Sequence, residues 1–432
     1  MNSIWNEEIN KPTFEPLKGV KRTDVLIVGG GIAGILCAYM LKRAGVDCIL
    51  AEANRICSGI TKNTTAKITL QHGLIYDKLI KSIGLDGARK YLQAQTRAGL
   101  EYERLCEDID CDYEKRDSFV YATADRRKLW REAEALSRLG IGAEFCDTIS
   151  LPIETVGAVR VRGQAQFHPL KFLYAIAKEL AIYENTKIQE IKPGRATFDG
   201  GEIAYDKLVI ATHFPIINKH GSYFLKMYQH RSYVLALEGA EPIGGMYVDE
   251  SDTGLSFREY GDLLLLGGGS HRTGKNGGNY RELEAFREKY YPSARVVAKW
   301  ATQDCMTLDG IPYIGQYSKN TPHVFVTTGF NKWGMTSAMA SAMILSDFVC
   351  DRENEYSSVF SPSRSLLHPQ LAVNAFESVV GLLTPTAPRC PHLGCALKYN
   401  RAEHTWDCPC HGSRFTESGE LIDNPATDDK RI

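Results

Sequence analysis

Two short segments near the C-terminus combine cysteine and histidine at the close spacing of a metal site. Residues 390–395 read Cys-Pro-His-Leu-Gly-Cys, and residues 408–413 read Cys-Pro-Cys-His-Gly-Ser. Thiolate and imidazole groups bind zinc in tetrahedral sites, and they also hold iron–sulfur clusters. The residue types therefore predict a metal centre and leave both kinds of metal open.

A glycine-rich segment near the N-terminus has the residues needed to bind a dinucleotide. An apolar run at 25–28 precedes Gly29, Gly31 and Gly34, and a helical segment and a second apolar run follow, ending at Glu52. In this β-turn-α-β pattern the glycines allow a tight turn, close approach of a pyrophosphate and close helix packing. The acid can accept hydrogen bonds from a ribose, which argues against NADP. The fingerprint alone does not separate FAD from NAD.

The composition excludes several classes of protein. The 432 residues include 51 lysines and arginines and 52 aspartates and glutamates, and no basic stripe indicates binding to nucleic acid. This length predicts two or three domains. The N-terminus lacks the regions of a signal peptide, and the most apolar stretch, 25–41, is too short and glycine-rich for a membrane span. We therefore expect a cytoplasmic protein with no membrane span.

The cysteines outside the two C-terminal segments are scattered and mostly lie in apolar surroundings. Their pattern indicates small buried hydrophobic residues in a reducing compartment. Pairing or joint metal binding by Cys106 and Cys111 is an alternative.

The periodicity of apolar residues predicts the elements that position these motifs. Residues 76–140 are expected to be mainly amphipathic helix, and 223–300 an antiparallel sheet with glycine turns. A further helix is expected at 170–183, with strands at 186–191 and 207–212.

Four other segments refine the organisation. A polar loop at 54–67 is of the kind that lines a cofactor. Residues 263–269 end in three glycines but lack the GxGxxG register, so no separate nicotinamide domain is expected. A strand, a turn and a helix of small residues at 323–349 predict a second approach to the same cofactor. The Ser/Pro-rich segment 351–371 is expected to be a linker.

Together these segments resemble the D-amino-acid oxidase-like family of FAD-dependent oxidoreductases, of the glycine/sarcosine oxidase type. The residues that carry the resemblance are 25–34, Glu52, Ser58, Gly59, 207–212, 309–315 and 329–336. The resemblance implies FAD and an α/β (α+β) fold, with a Rossmann-like FAD-binding domain and a sheet-rich substrate domain. It places the whole oxidoreductase domain at about 20–350. Its FAD-binding segments are expected at about 20–75, 150–212 and 300–350, and its substrate segments at about 76–149 and 213–299.

The resemblance also implies where FAD is bound. The backbone of Ile188 would lie near the adenine, and the loop 58–67 along the pyrophosphate and isoalloxazine. The expected FAD contacts are Gly29, Gly31, Ile32, Ala33, Gly34, Glu52, Ala53, Ser58, Gly59, Thr64, Thr65, Ala66, Ile188, Ala211, Thr212, Gly329, Trp333, Gly334, Met335 and Thr336.

The two C-terminal segments resemble the ligand boxes of Rieske [2Fe–2S] domains, which favours a cluster over zinc. The resemblance implies that one iron is held by Cys390 and Cys408, the other by His392 and His411, and that Cys395 and Cys410 form a disulfide.

The Rieske segment departs from its family in two respects. Only residues 384–389 separate the first box from an apolar helical segment at 371–383, where several strands are usual, and the closing loop reads Asn-Pro-Ala. We expect a truncated all-β module at 372–432 that leans on the flavin domain, with its cluster occupancy open.

The combination predicts an enzyme. It would dehydrogenate a small amine or amino acid and relay electrons from flavin through the cluster to an outside acceptor. Candidates for handling the substrate are Lys67, Gln71, His72 and His271, although a structural role is the stronger interpretation of each histidine. One alternative is an electron-transfer module between protein partners that has no small substrate. Another is a scaffold whose cluster site is empty or holds zinc.

Overall fold

The computed structural model describes residues 3–6, 9–217, 220–251, 254–365, 367–385 and 388–430. Its strands are β1 (Gly19–Val28), β2 (Cys48–Ala51), β3 (Lys67–Ile68), β4 (Glu114–Ala122), β5 (Ala143–Cys146), β6 (Gly157–Gln166), β7 (Ile182–Tyr183), β8 (Ile188–Lys192), β9 (Arg195–Phe198), β10 (Gly201–Ile210), β11 (Met227–Glu238), β12 (Met246–Asp249), β13 (Ser256–Tyr260), β14 (Leu263–Arg272), β15 (Arg295–Thr307), β16 (Tyr313–Gln316), β17 (Val324–Thr328), β18 (Lys398–Asn400), β19 (Thr405–Asp407), β20 (Arg414–Thr416) and β21 (Leu421–Asp423). Its helices are α1 (Ile32–Arg43), α2 (Tyr76–Cys106), α3 (Arg126–Arg138), α4 (Pro169–Ala177), α5 (Tyr223–Lys226), α6 (Asn279–Tyr290), α7 (Gly334–Val349), α8 (Ser357–Phe360) and α9 (Pro369–Leu383).

The first sheet has the strand order β16-β17-β10-β1-β2-β7, extended by β9 and β8. Strand β1 pairs in parallel with both β10 and β2, and β10 pairs in parallel with β17. Helices α1 and α7 pack against each other. This arrangement is Rossmann-like, as predicted, because an apolar strand, a glycine turn and an apolar helix can pack closely only as a parallel unit.

The second sheet has the order β15-β11-β14-β13-β12-β4-β6-β3, and β5 pairs with β6. Its strands are antiparallel except for the parallel pair β12 and β4. The predicted antiparallel sheet therefore exists. It also includes β3, β6 and β15, which lie wholly or partly in segments that the sequence assigned to FAD binding.

Residues 76–140 are mainly helical, as predicted, in α2 and α3. Between these helices lies β4, because the aromatic and apolar run at 118–122 gains β12 and β6 as partners. The end of the helix predicted at 170–183 was wrong: α4 ends at Ala177, since Ile182 and Tyr183 pair with the edge of β2.

The third sheet is small and antiparallel, with the order β18-β19-β20-β21. The ligand boxes precede β18 and connect β19 to β20, and Leu397, Phe415 and Ala426 pack with the box cysteines in a small core. This agrees with the predicted all-β module.

The segment expected as a linker, 351–371, is packed against the flavin-type domain. It contains α8, Phe360 is fully buried, and Arg364 pairs with Asp309 at 2.6 Å. Among the helices of the described residues, none combines the length and apolar character that crossing a bilayer requires.

Candidate cofactor sites

The glycine turn between β1 and α1 leaves no room for a side chain at two positions. Gly29 has a φ of +112°, and a Cβ there would lie 2.6 Å from the carbonyl oxygen of Ala211. A Cβ on Gly34 would lie 1.9 Å from the carbonyl oxygen of Gly29. Helix α1 can therefore pack directly on the turn, and its N-terminus supplies the electrostatics that favour a pyrophosphate.

Glu52 is held at the end of β2 by backbone donors. Its Oε2 accepts a hydrogen bond from Gly30 N at 2.6 Å, and its Oε1 accepts one from Asn54 N at 2.8 Å. Burial raises the pKa of Glu52, while these hydrogen bonds oppose the rise. The fixed carboxylate keeps lone pairs for the hydroxyl groups of a ribose.

A cavity of about 780 Å³ extends from the glycine turn to the second sheet. Its volume lies within the range of about 300–1,000 Å³ that is typical of ligand pockets. The predicted FAD contacts on its wall are Gly29, Gly31, Ile32, Ala33, Glu52, Ala53, Ser58, Gly59, Thr64, Thr65, Ile188, Ala211, Thr212, Gly329, Trp333, Gly334 and Met335. The residues present therefore fit FAD.

Three of the predicted FAD contacts are not on the cavity wall. Gly34 packs against the glycine turn. The carbonyl oxygen of Ala66 accepts a hydrogen bond from Arg258 at 2.9 Å, and the hydroxyl of Thr336 lies 3.0 Å from His72 Nε2. These residues support the wall from behind.

The loop 58–67 is fixed from outside by side chains that sequence reasoning missed. Trp5 Nε1 donates to Thr64 O at 2.6 Å, and the buried Arg258 donates to Thr65 O at 2.7 Å. No local signal could have identified them, because Trp5 precedes every motif and Arg258 lies within an ordinary strand. Their bonds hold the loop carbonyls away from the cavity.

Among the predicted catalytic residues, Lys67 lines the cavity and can lose its proton near neutral pH. It lines the wall, and its Nζ donates to Thr65 Oγ1 at 3.2 Å. Burial and the nearby charge of Arg258 lower the pKa of Lys67 to about 7. A neutral amine is therefore available near neutral pH.

His72 also lines the cavity, but both of its ring nitrogens have partners. Nδ1 lies 2.7 Å from Tyr91 Oη, and Nε2 lies 3.0 Å from both Thr69 O and Thr336 Oγ1. The ring stacks on Trp333 at 5.0 Å, and burial lowers the pKa of His72 to about 3. This geometry favours positioning of Trp333 over proton transfer.

His271 and Gln71 are not on the cavity wall. His271 Nε2 lies 3.0 Å from Tyr233 Oη, and Nδ1 lies 2.9 Å from Arg272 O. Gln71 is fully buried, and its amide donates to Val159 O at 2.9 Å. These hydrogen bonds favour a structural role for both residues.

The cluster ligands predicted from the sequence lie together. The rings of His392 and His411 are 4.9 Å apart and nearly perpendicular. A hydrogen bond with Cys408 lowers the pKa of Cys390 to about 7. The structure pairs Cys395 with Cys410 in a disulfide, as the resemblance implies. With those two thiols paired, Cys390 and Cys408 are the free cysteines of the two boxes, as the predicted ligand set requires.

The state of the histidines suits a metal centre. Burial lowers the pKa of His392 to about 4 and that of His411 to about 3, so both rings are neutral, which is the form that binds metal. His411 is 2% exposed, and within the described part of the chain neither of its ring nitrogens makes a hydrogen bond. A buried imidazole without partners fits an iron ligand.

The flavin-type domain covers the histidine side of the cluster site. The ring of Phe214 lies 6.3 Å from His392 and 6.5 Å from His411, and Phe224 lies 6.2 Å from His411. The cluster module therefore contacts the flavin-type domain at its predicted histidine ligands.

Strands of the second sheet hold the backbone of the ligand boxes. Gln229 donates to His411 O at 2.9 Å, and Gln303 donates to Gly412 O at 2.9 Å. Arg272 holds the carbonyl oxygens of Pro409 and Cys410. The second box thus has donors from three strands of the other domain, which substitutes for the strands that the truncated module lacks.

A buried charge network also joins the module to the second sheet. Glu403 accepts hydrogen bonds from Arg231 Nε at 3.0 Å, Arg414 Nη2 at 3.0 Å and Tyr233 Oη at 3.1 Å. Burial alone would raise the pKa of Glu403, but Arg231 and Arg414 outweigh it and lower the pKa to about 2. Arg414 also pairs with Asp407 and Asp423.

We expect Glu403→Ala to lower the free energy of unfolding by about 3 kcal/mol, because it leaves two buried guanidinium groups without their shared carboxylate. The loss should be full at neutral pH and should shrink as pH falls from about 4.5 toward 2, where Glu403 of the folded protein becomes protonated. Urea unfolding at several pH values measures it. Glu417→Ala, which removes an exposed carboxylate of the same module, is the matched control. Equal stabilities of the two variants would contradict the expectation.

Comparison with known families matches both parts of the chain. The family described as FAD dependent oxidoreductase (DAO) matches residues 24–348, and the Rieske [2Fe-2S] domain matches residues 366–431. A protein of Bacillus subtilis named as putative Rieske 2Fe-2S iron-sulfur protein YhfW is 35% identical, over 98% of this chain and 96% of that protein. Gamma-glutamylputrescine oxidoreductase of Escherichia coli is 27% identical, over 49% of this chain and 54% of its own length.

Solved structures agree on the fold of the larger part. Glycine oxidase from Geobacillus kaustophilus has a TM-score of 0.68 at 20% identity, covering 80% of this chain and all of that one (100%). L-proline dehydrogenase from P. horikoshii also has a TM-score of 0.68, at 16% identity, covering 81% of this chain and 98% of that one.

Proposed function

This chain belongs to the DAO family of FAD-dependent oxidoreductases and carries a Rieske [2Fe–2S] domain, and from this premise we propose a substrate and a relay. The substrate is a small amine or amino acid. Its electrons pass from FAD through the cluster to an external acceptor.

Two relatives support the substrate class by their names. One is an oxidoreductase of gamma-glutamylputrescine, and another is an oxidase of glycine. In both molecules a C–N bond is available for dehydrogenation. The cavity suits a small substrate, since its wall joins the expected FAD contacts to polar residues of the second sheet.

One observation carries the relay: the segment 212–214 borders both cofactor sites. Thr212 and His213 line the cavity, while the ring of Phe214 contacts both ligand histidines. Asn424 of the cluster module also lines the cavity, and it donates to the carbonyl oxygens of Thr212 at 2.5 Å and Phe214 at 2.8 Å. When bound, FAD supplies two-electron chemistry toward the substrate and the cluster one-electron chemistry toward the acceptor.

Lys67 is the proposed proton acceptor for the substrate ammonium. Its pKa of about 7 leaves a large neutral fraction at neutral pH, and its position on the cavity wall gives access to the substrate. His72, with both nitrogens bonded, would hold the wall in shape.

The relay is tested without any external acceptor. The protein loaded with FAD and cluster is mixed anaerobically with amines and amino acids, and flavin bleaching is followed optically. With an amine that bleaches the flavin, we expect the EPR signal of a reduced Rieske cluster to appear in the same sample. In His411→Ala, bleaching should persist and this signal should be absent.

Reduction of the cluster by dithionite in the wild-type protein is the positive control. The relay would be refuted if an amine bleached the flavin but only dithionite, and not the amine, reduced the cluster. If no amine or amino acid bleached the flavin while a reduced protein donor did, the protein would instead be an electron-transfer module without a small substrate.

A further inference from the structure

Strands of the second sheet line part of the cavity and also contact the cluster module. Strands β15, β11 and β14 lie side by side, and their residues alternate between the two faces. Gln229, Arg231 and Gln303 contact the cluster module. The side of the sheet toward the cavity presents Tyr228, Ser232, Ser270, Thr302 and Asp304. These polar residues belong to the part of the cavity wall that the FAD motifs do not include.

Asp304 differs from the other acidic residues of this wall. Within the described part of the chain, its carboxylate makes no hydrogen bond or ion pair. The other acidic residues that line the described wall are all engaged: Glu52 and Asp249 accept backbone N–H groups, and Glu250, Asp309 and Asp423 pair with cations. Among the described acidic residues of the wall, Asp304 is therefore the carboxylate that is available to bind a ligand.

The surroundings of Asp304 make a cation the suitable ligand. Burial raises the pKa of Asp304 to about 6, and the charges of Lys332 and Arg231 oppose the rise, so the group is ionised at neutral pH. Asp304 is half-buried on the cavity wall, and a charged hydrogen-bond donor from a ligand would offset the cost of its partial desolvation. The neighbouring hydroxyls are already bonded, since Ser232 and Ser270 lie 3.0 Å apart and Lys332 donates to Ser270 at 3.2 Å.

We propose that Asp304 binds a protonated nitrogen of the substrate, so that the cavity selects diamines and basic amino acids. The proposal rests on the proposed function in that it describes the same substrate. Dehydrogenation removes a hydride from the carbon next to the reacting nitrogen. That nitrogen must be neutral, because its lone pair assists the removal. The nitrogen held by Asp304 is therefore a second one, remote from the reacting bond.

Binding to the FAD-loaded protein tests the proposal by a readout other than turnover. Diaminobutane is titrated anaerobically by calorimetry into the wild-type protein, Asp304→Asn and the matched control Asp206→Asn, which makes the same change at an exposed carboxylate outside the cavity. We expect Asp304→Asn to weaken binding by about 10- to 100-fold, the value of a hydrogen bond to a charged group, and Asp206→Asn to change it by less than about threefold. The melting temperature of ligand-free Asp304→Asn should equal or exceed that of the wild type, because an unpaired carboxylate has been removed.

Two outcomes would overturn the proposal. These are equal affinities of Asp304→Asn and the wild type, and the absence of diaminobutane binding to the wild type. Flavin bleaching by amines together with either result would leave the proposed function standing. Asp304-dependent binding without bleaching by any amine would support this site and refute the proposed dehydrogenation.

Discussion

The substitution Cys408→Ser is expected to leave the protein without its [2Fe–2S] cluster while FAD remains bound. Iron should fall from about two atoms per chain to nearly none, and the EPR signal on reduction should disappear. The reason is the ligand set: with Cys395 and Cys410 joined in the disulfide, only Cys390 remains as a thiolate donor. The expected FAD contacts lie outside the two ligand boxes, so FAD content should not change.

Iron, sulfide and zinc analysis of anaerobically purified protein measures this prediction. Cys350→Ser is the matched control, because it makes the same chemical change at the end of α7, outside the cluster site. Full iron content in Cys408→Ser would contradict the assignment of Cys408. Zinc in place of iron in the wild-type protein would contradict the cluster itself.

The substitution Gly34→Val is expected to abolish FAD binding. The new Cβ would lie 1.9 Å from the carbonyl oxygen of Gly29 and 3.6 Å from the Cβ of Ala211, so α1 must move away from the turn. That movement displaces the N–H groups that would meet the pyrophosphate. Overpacking of this kind costs about 3 kcal/mol of stability, in addition to the loss of the cofactor.

The flavin absorbance of purified Gly34→Val measures the effect, and we expect less than about a tenth of the wild-type FAD per chain. Gly99→Val places the same side chain in α2, where a Cβ meets no atom within 4 Å, and should keep its FAD. Cluster content reports on folding of the flavin-type domain, since Gln229, Gln303 and Arg272 of its second sheet hold the second ligand box. FAD at the wild-type level in Gly34→Val would contradict the role of the turn.

Features encoded within short stretches were predictable. The turn from Gly29 to Gly34 and the acid Glu52 work through backbone geometry over one β-turn-α-β unit, and the fold has them where the pattern placed them. The same holds for the two ligand boxes, whose cysteines and histidines are each a few residues apart. The structure contains the predicted disulfide between Cys395 and Cys410. It was predictable because it joins the same two boxes.

The prediction of secondary structure was less accurate where a strand depends on partners from distant parts of the chain. The short run at 118–122 contains residues that favour a strand, but β4 forms because β12 and β6, from other parts of the chain, lie on either side of it. For a similar reason the linker prediction for 351–371 did not anticipate the ion pair between Arg364 and Asp309.

The sequence by itself determined which cofactors this chain is built for, since glycine turns and Cys/His boxes act through spacing along the chain. Only the tertiary structure decided how the two sites are joined and what the cavity can select. Strand order β15-β11-β14 places Asp304 toward the cavity, and the opposite face of the same strands toward Glu403 of the cluster module. The partners of a carboxylate in the interior come from strands far apart in sequence. Local pattern therefore could not reveal the pairing of Glu403, nor that Asp304 has no hydrogen bond or ion pair among the residues that the structure describes.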